Sequence, residues 1–259
     1  MKKIALIGVA TSEKKSEFWM TQAKKHAWNV VLTGSSGHYD WASHGTKIKY
    51  LVEAIEQLPE ETEYVLISDT YDSFVNTNPE TVAAYFVENK GKILFENDLK
   101  HYEWFRWLYP LFPNYFSKKL HNYIHVNGRG CYFQSGIVGG HKNDVLNFYR
   151  NCLQYVKAGR REQASIRMML TDHPEILNSL KLTGKYRFMH LFTRIYMFNF
   201  RSVARRGDGQ FEVDRNIPFV IHCPGALRPT ITSYFWQYFI SDGVSKNWRI
   251  SPFIRTSRS

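Results

Sequence analysis

The sequence predicts one α/β domain built on a mostly parallel β-sheet. Over residues 1–100, short apolar runs typical of strands alternate with longer segments of helical periodicity, the pattern of consecutive βαβ units. Apolar residues make up 44% of the 259 positions and aromatic residues 16%, enough for a large core. Because no segment has the composition of a linker, we expect a single domain over 1–259, with a nucleotide-binding half (1–100) and an acceptor-side half (101–259).

The first half alternates strand and helix. Helix 46–57 carries Ile48, Leu51, Val52 and Ile55 on one face, and helix 79–88 has Pro79 in its first turn, where proline is tolerated. Parallel strands with right-handed crossovers are therefore expected. The predicted elements are strands at 4–9, 29–33, 64–68 and 92–95 and helices at 15–26, 46–57 and 79–88.

The second half begins with an aromatic and basic segment, 101–125, which is expected to be a loop or short-helix insertion beside the site. Such a segment is either part of a satellite core or a binding platform. A strand follows at 131–140, interrupted by small residues where a ligand can approach the backbone. The remaining predicted elements are helices at 143–157 and 161–170 and a short strand at 219–225.

Charge indicates an anionic partner. The chain has 34 Lys and Arg against 23 Asp and Glu, a net charge of +11. From residue 185 onward there are 12 basic and 4 acidic residues, so most of the excess lies in the C-terminal part. In this part of the chain arginines alternate with aromatic residues. Arginines of this kind bind the phosphates of a nucleic acid, and the aromatic rings stack on its bases.

Composition also indicates a cellular compartment. The three cysteines, Cys131, Cys152 and Cys223, have no paired spacing, which favours buried thiols in a reducing compartment. The apolar N-terminal run is too short for a signal peptide and is better explained as a first strand. Since no apolar stretch approaches the roughly 20 residues that span a bilayer, we expect a cytoplasmic protein without a membrane partner.

Two carboxylates follow one of the predicted apolar strands. Asp69 and Asp72 come directly after strand 64–68, and ligands of open α/β sheets bind at the carboxyl ends of strands. Carboxylate oxygens there suit Mg²⁺ or Mn²⁺ bridging a diphosphate. The alternative is structural: Asp69 caps the next helix and Asp72 is solvated.

Several separated segments together resemble a known family. They are Val9-Ala-Thr-Ser12, Lys47-Ile-Lys-Tyr-Leu51, Tyr64-Val-Leu-Ile-Ser-Asp-Thr-Tyr-Asp72, Phe133-Gln-Ser-Gly-Ile-Val-Gly139 and Val220-Ile-His-Cys-Pro-Gly-Ala-Leu-Arg228. In order and spacing they are similar to the glycosyltransferase domain of the multifunctional procollagen lysyl hydroxylases, and more loosely to metal-dependent GT-A glycosyltransferases. The resemblance covers nearly the whole chain and implies a GT-A fold.

The resemblance also implies a site. Asp69, Asp72 and His222 would hold Mn²⁺, or Mg²⁺, against the diphosphate of a UDP-sugar donor. Without the resemblance, His222 would be interpreted as an ordinary surface or core histidine at the end of a strand. The residues that match the family's donor-binding positions are Thr11, Lys47, Tyr71 (stacked on the uracil), Gln134, Ser135, Gly136 and Arg228. The structural alternatives are a packing role for Tyr71, a helix cap for Thr11 and a solvated charge for Lys47.

The chain departs from the family at its run of aspartates, where it has Gly159-Arg-Arg-Glu-Gln163. Glu162 is therefore a candidate sugar contact or catalytic carboxylate. Asp98 falls where the family carries an acidic residue and is a second candidate. The alternatives are a surface helix charge for Glu162 and a turn cap for Asp98.

These features predict a UDP-sugar-dependent hexosyltransferase. Because Arg160 and Arg161 replace aspartates, the expected acceptor is anionic, first a hydroxymethylated pyrimidine in DNA. Protein hydroxylysine or a bacterial surface glycan is the alternative acceptor. A nucleic-acid-binding module that has lost catalysis is the alternative of another class, against which the retained Asp69, Asp72 and His222 argue.

Overall fold

The computed structural model describes residues 3–34, 45–97, 123–126, 129–157, 159–183, 187–190, 202–213, 215–222 and 248–249. The helices are α1 (Glu13–Lys25), α2 (Thr46–Glu56), α3 (Pro79–Glu88), α4 (Lys142–Leu153) and α5 (Glu162–Asp172), with a 3₁₀ helix at Pro174–Ser179. The strands are β1 (Lys3–Val9), β2 (Asn29–Thr33), β3 (Thr62–Ser68), β4 (Ser73–Val75), β5 (Ile93–Asn97), β6 (Tyr123–Val126), β7 (Arg129–His141), β8 (Leu180–Leu182), β9 (Phe188–His190), β10 (Ser202–Arg205), β11 (Phe211–Val213), β12 (Val220–His222) and β13 (Trp248–Arg249).

The central sheet has the strand order β2-β1-β3-β7-β5-β8, and β6 pairs with β7. Strands β1, β2 and β3 are parallel, as are β5 and β8. Strand β7, whose direction the sequence did not predict, runs antiparallel to both β3 and β5, so β3 and β5 are parallel to each other as expected. A strand buried in the middle of a sheet has the same apolar composition in either direction, so its local sequence does not reveal its direction.

Both faces of the sheet are covered by helices. Alternate side chains of β1 enter different cores: Ala5 and Ile7 pack with α2, α4 and α5, whereas Ile4 and Leu6 pack with α1 and α3. Trp19 of α1 is fully buried in the second core. This mixed α/β architecture, with a mostly parallel sheet between helices, confirms the predicted fold class.

Two smaller three-stranded sheets complete the described architecture. In one, β12 pairs antiparallel with β4 and parallel with β9, and the register places His222 opposite Ser73. In the other, β10 lies between β11 and β13. His222 is the one metal ligand that was predicted in the second half of the chain. The first of these sheets places it beside the turn after β3.

Most predicted helices and strands agree with the structure to within a few residues. Residues 123–126 form β6, which corrects the predicted loop there, because they pair with β7 as a hairpin. The rest of the aromatic segment, 101–122, lies outside the described residues. Cys152 is a buried free thiol, as predicted, and within the described residues no helix is both long and apolar enough to cross a membrane. The division into two halves stays a prediction.

Candidate functional site

The turn after β3 is fixed by hydrogen bonds to the two neighbouring strands. The Asp69 backbone N–H donates to the Gly136 carbonyl of β7 at 2.8 Å, and Thr70 Oγ1 donates to the Val9 carbonyl of β1 at 2.9 Å. The Ser73 hydroxyl donates to the Asp69 carbonyl. The two carboxylates of the turn therefore project from the carboxyl end of β3 on a backbone held from both sides.

Asp69, Asp72 and His222 come together at this turn. His222 Nε2 lies 3.6 Å from Asp69 Oδ2 and 3.5 Å from Asp72 Oδ1, and one ligand atom from each residue lies within 4.8 Å of the others. Two ligand atoms each about 2.1 Å from one ion are about 3 Å apart at right angles and about 4.2 Å when opposite. The three side chains therefore fit a divalent cation, and two carboxylates with one imidazole suit Mn²⁺ or Mg²⁺.

The opposite side of the His222 ring contacts a carboxylate that the sequence interpretation missed. His222 Nδ1 lies 2.6 Å from Glu96 Oε2, and both side chains are buried, with 1% and 0% of the side-chain surface exposed. Burial disfavours the charged imidazole, but the Glu96 and Asp72 carboxylates outweigh it and raise the pKa of His222 well above its ordinary value. Glu96 interrupts an apolar strand, and that interruption was the signal in the sequence.

Gly136 makes room for the His222 ring. A Cβ atom at this position would lie 2.0 Å from Cε1 of His222 and 2.7 Å from Nδ1. Because atoms cannot approach this closely, the site requires glycine at residue 136. The family resemblance predicted Gly136 as a donor contact, and the structure places it against the imidazole.

Lys47 links α2 to the turn after β3 and to α5. Its Nζ donates to Asp69 Oδ1 at 2.6 Å and lies 3.0 Å from Glu162 Oε2. Burial alone would lower the pKa of Lys47, but Asp69 and Glu162 raise it well above its ordinary value. Burial raises the pKa of Glu162, and the charge of Asp69 adds to this effect while Lys47 opposes it. Both side chains are buried. The alternatives of a surface charge for Glu162 and a solvated charge for Lys47 are therefore wrong.

Tyr71 joins the turn to the loop before α1. Its hydroxyl accepts hydrogen bonds from the backbone N–H groups of Thr11 at 2.9 Å and Ser12 at 3.0 Å. It also lies 3.1 Å from Thr11 Oγ1. Ser12 in turn caps α1 by accepting from the Lys15 N–H at 3.4 Å. The predicted contacts Tyr71 and Thr11 thus lie side by side, and the cap is Ser12 instead of Thr11.

The other predicted site residues fall into two groups. Gln134 and Ser135 lie on β7 beside α5: Gln163 Nε2 donates to Gln134 Oε1 at 2.7 Å, and buried Ser135 interacts with the Glu162 carboxylate. Asp98 and Arg228 lie outside the described residues.

A basic groove opens where the chain enters α5. It is a shallow, open depression of about 540 Å³ lined by Lys157, Gly159, Arg160, Arg161 and Ala164. Arg160 Nη1 donates to the Tyr155 carbonyl at 2.7 Å, and within the described part of the chain none of the three cations forms an ion pair. Arg161 directly precedes Glu162, so the groove adjoins the candidate site.

Comparisons with known proteins support the fold. No family model matches the sequence, and no curated protein matches it. A solved structure described as a glycosyltransferase involved in the glycosylation of the major capsid of PBCV-1 is similar, with a TM-score of 0.51 and 13% sequence identity. The match covers 90% of this chain and 99% of that chain. At this identity the likeness shows a shared fold alone, and that fold is consistent with the predicted GT-A-like architecture.

Proposed function

We propose that this protein is a metal-dependent glycosyltransferase that moves a sugar from a nucleotide-sugar donor, first a UDP-sugar, to a hydroxyl group of an acceptor. The observation that carries the proposal is the Asp69, Asp72 and His222 cluster at the carboxyl edge of the sheet in a glycosyltransferase-like fold. Nucleotides bind at that edge in open α/β sheets, so the cluster lies where a diphosphate is expected.

In this proposal Asp69, Asp72 and His222 hold Mn²⁺ or Mg²⁺. When bound, the cation neutralises the charge that develops on the leaving nucleoside diphosphate. Lys47 holds Asp69 in position through the 2.6 Å hydrogen bond. Tyr71 fixes the loop at Thr11 next to the turn, so the segments predicted to contact the nucleotide are already in place before it binds.

The donor sugar is proposed to lie on the β7 side of the turn. Glu162, Gln134 and Ser135 lie together there as a group of polar side chains. Glu162 is proposed to accept a hydrogen bond from a sugar hydroxyl, because Lys47 fixes its carboxylate beside Asp69. Asp98 as a catalytic carboxylate and Arg228 as a donor contact stay predictions from the resemblance.

The proposed acceptor is anionic, and the first candidate is a hydroxymethylated pyrimidine in DNA. The supporting observation is the groove of Lys157, Arg160 and Arg161, which offers three cations and, among the described residues, no acidic lining residue. Arg206, by contrast, lies 3.3 Å from Asp208 and 3.9 Å from Glu212, so its charge is already partly compensated. Hydroxylysine peptide and a surface glycan are the alternative acceptors.

Donor hydrolysis and transfer assays test the proposal. The protein with Mn²⁺ is incubated with several UDP-sugars alone, then with hydroxymethylated DNA, hydroxylysine peptide or lipid-linked glycan, and the products are identified by mass spectrometry. We expect slow metal-dependent release of UDP without acceptor and a hexose mass shift on one acceptor. Asp69→Asn should abolish both, whereas the control Asp208→Asn, at an exposed aspartate in the turn between β10 and β11, should retain them. No UDP release and no transfer under any condition would favour the non-catalytic binding module.

A further inference from the structure

Strand β5 contains a carboxylate that its sequence pattern does not explain. Ile93, Leu94 and Phe95 are buried core residues, and Glu96 follows them with no exposed surface. Transferring an ionised carboxylate into a protein interior is strongly unfavourable unless it is paired and hydrogen-bonded. Glu96 therefore needs a specific partner, and that partner is the imidazole of His222 at 2.6 Å.

The backbone around Glu96 is irregular in a way that directs this side chain toward His222. Phe95 pairs with Val138 of β7, but Glu96 pairs with Gln134, so the register breaks between the two residues. The residues of β7 left out of this pairing include Gly136, which contacts the His222 ring. Bulges of this kind reorient side chains next to functional sites.

We propose that Glu96 is a positioning residue that fixes the orientation and tautomer of His222 for metal binding. The inference rests on the proposed metal-dependent function. A carboxylate at 2.6 Å can only accept, so Nδ1 must carry the proton and donate it to Glu96. When a cation replaces the proton on Nε2, the Nε2 lone pair is directed to the side where Asp69 and Asp72 lie. Metal-bound histidines commonly donate their second ring N–H to a carboxylate in this way.

Removal of the carboxylate would remove that control. With Glu96→Gln the side chain keeps its size, but its amide can either accept from Nδ1–H or donate to a deprotonated Nδ1. In the second arrangement Nε2 carries the proton and cannot bind a cation. The substitution also removes one negative charge next to the cation, so both effects reduce its affinity.

Metal titration of purified variants tests the inference. Mn²⁺ binding is measured by electron paramagnetic resonance for the wild type, Glu96→Gln, His222→Ala and the double variant. We expect Glu96→Gln to weaken Mn²⁺ binding by about 10- to 100-fold, as for other outer partners of metal ligands. If Glu96 acts through His222, the double variant should be no weaker than His222→Ala.

The control Glu63→Gln makes the same chemical change at the other end of β3, about 20 Å from Asp69 along an extended strand, and should bind Mn²⁺ as the wild type does. Equal affinity of Glu96→Gln and the wild type would overturn the positioning role while leaving the metal site standing. Additive losses in the double variant would also overturn it, because Glu96 would then act independently of His222. Absence of Mn²⁺ binding by the wild type would instead overturn the metal site itself.

A spectroscopic measurement on the wild type does not depend on any Glu96 variant folding. In ¹⁵N-histidine spectra of the Mg²⁺- and UDP-loaded protein, His222, assigned by comparison with His222→Ala, should carry its proton on Nδ1. The Nδ1 proton should resonate far downfield because of its short hydrogen bond to a carboxylate. A proton on Nε2 in the loaded protein would overturn the proposal.

Discussion

At the scale of single residues, position 136 has no room for a methyl group. A Cβ atom there would overlap the His222 ring, and the backbone around it is held by the Asp69 hydrogen bond. We therefore expect Gly136→Ala to displace the imidazole and weaken Mn²⁺ binding at least 10-fold, measured by titration. The control is Gly207→Ala, where no atom lies within 4 Å of the added Cβ. Equal Mn²⁺ affinity of Gly136→Ala and the wild type would contradict the described position of His222.

The Tyr71 hydroxyl is expected to stabilise the fold, separately from any stacking by its ring. Tyr71→Phe removes the acceptor for two backbone N–H groups, those of Thr11 and Ser12, at about 1 kcal/mol for each hydrogen bond. The free energy of unfolding in urea should fall by about 1–2 kcal/mol. Tyr149→Phe is the matched control, because the buried Tyr149 hydroxyl has no hydrogen-bond partner among the described residues, so its removal should be neutral or stabilising. Equal losses in the two variants would contradict this account.

At the scale of helices and strands, local patterns predicted element types well and long-range contacts poorly. The apolar run ending in Asp69 and Asp72 identified β3 and its turn because both signals are local. The roles of Lys47 and Glu162 were predicted from a resemblance. Their contact with each other was not predicted, because α2 and α5 meet only in the folded protein. Glu96 was missed because the predicted strand ended at residue 95, whereas strand β5 continues through Glu96 to Asn97.

The contact between α2 and α5 depends on a buried ion pair. Lys47→Met should leave Glu162 as a buried charge without its ammonium partner and lower the free energy of unfolding by about 3–5 kcal/mol. Adding Glu162→Gln should recover most of the loss, since the remaining side chain is then neutral. The control Lys49→Met removes an exposed lysine of the same helix, 3.9 Å from Glu53, and should change stability by less than about 0.5 kcal/mol. Urea unfolding of the wild type, Lys47→Met, Glu162→Gln, the double variant and Lys49→Met measures these differences, and an additive double variant would contradict the pairing.

The pH dependence of this ion pair follows from the raised pKa of Lys47. Because the pKa of Lys47 is higher in the folded protein than its ordinary value of 10.5, its stabilising contribution is fully present below that value. The contribution is lost as pH rises through the folded-state pKa. The stability difference between the wild type and Lys47→Met should therefore stay constant from neutral pH to about pH 10 and shrink only above it. A difference that shrinks between pH 7 and pH 9 would contradict the raised pKa.

At the scale of the whole molecule, the net charge of +11 is expected to act through the groove of Lys157, Arg160 and Arg161 if DNA is the acceptor. The affinity for DNA should then fall with salt, by about 0.7 to 0.9 in log K per neutralised phosphate for each tenfold increase. Replacing Lys157 and Arg161 by alanine should lower that slope, whereas replacing Arg206, already paired with Asp208, should change it less. Mobility-shift titrations at several salt concentrations measure the slopes. DNA binding that is salt-independent or absent in the wild type would transfer the proposal to a protein or glycan acceptor.

The central claim is that the turn after β3 and the end of β12 together hold a divalent cation against a nucleoside diphosphate. Calorimetric titration of UDP in the presence and absence of Mn²⁺ tests it most directly, with wild type, Asp69→Ala and Asp72→Ala. We predict Mn²⁺-dependent UDP binding by the wild type and loss of that dependence in both variants, with each variant still folded because Asp69 and Asp72 are partly exposed and lie outside the core. UDP affinity that is the same with and without Mn²⁺, or unchanged in both variants, would contradict the account.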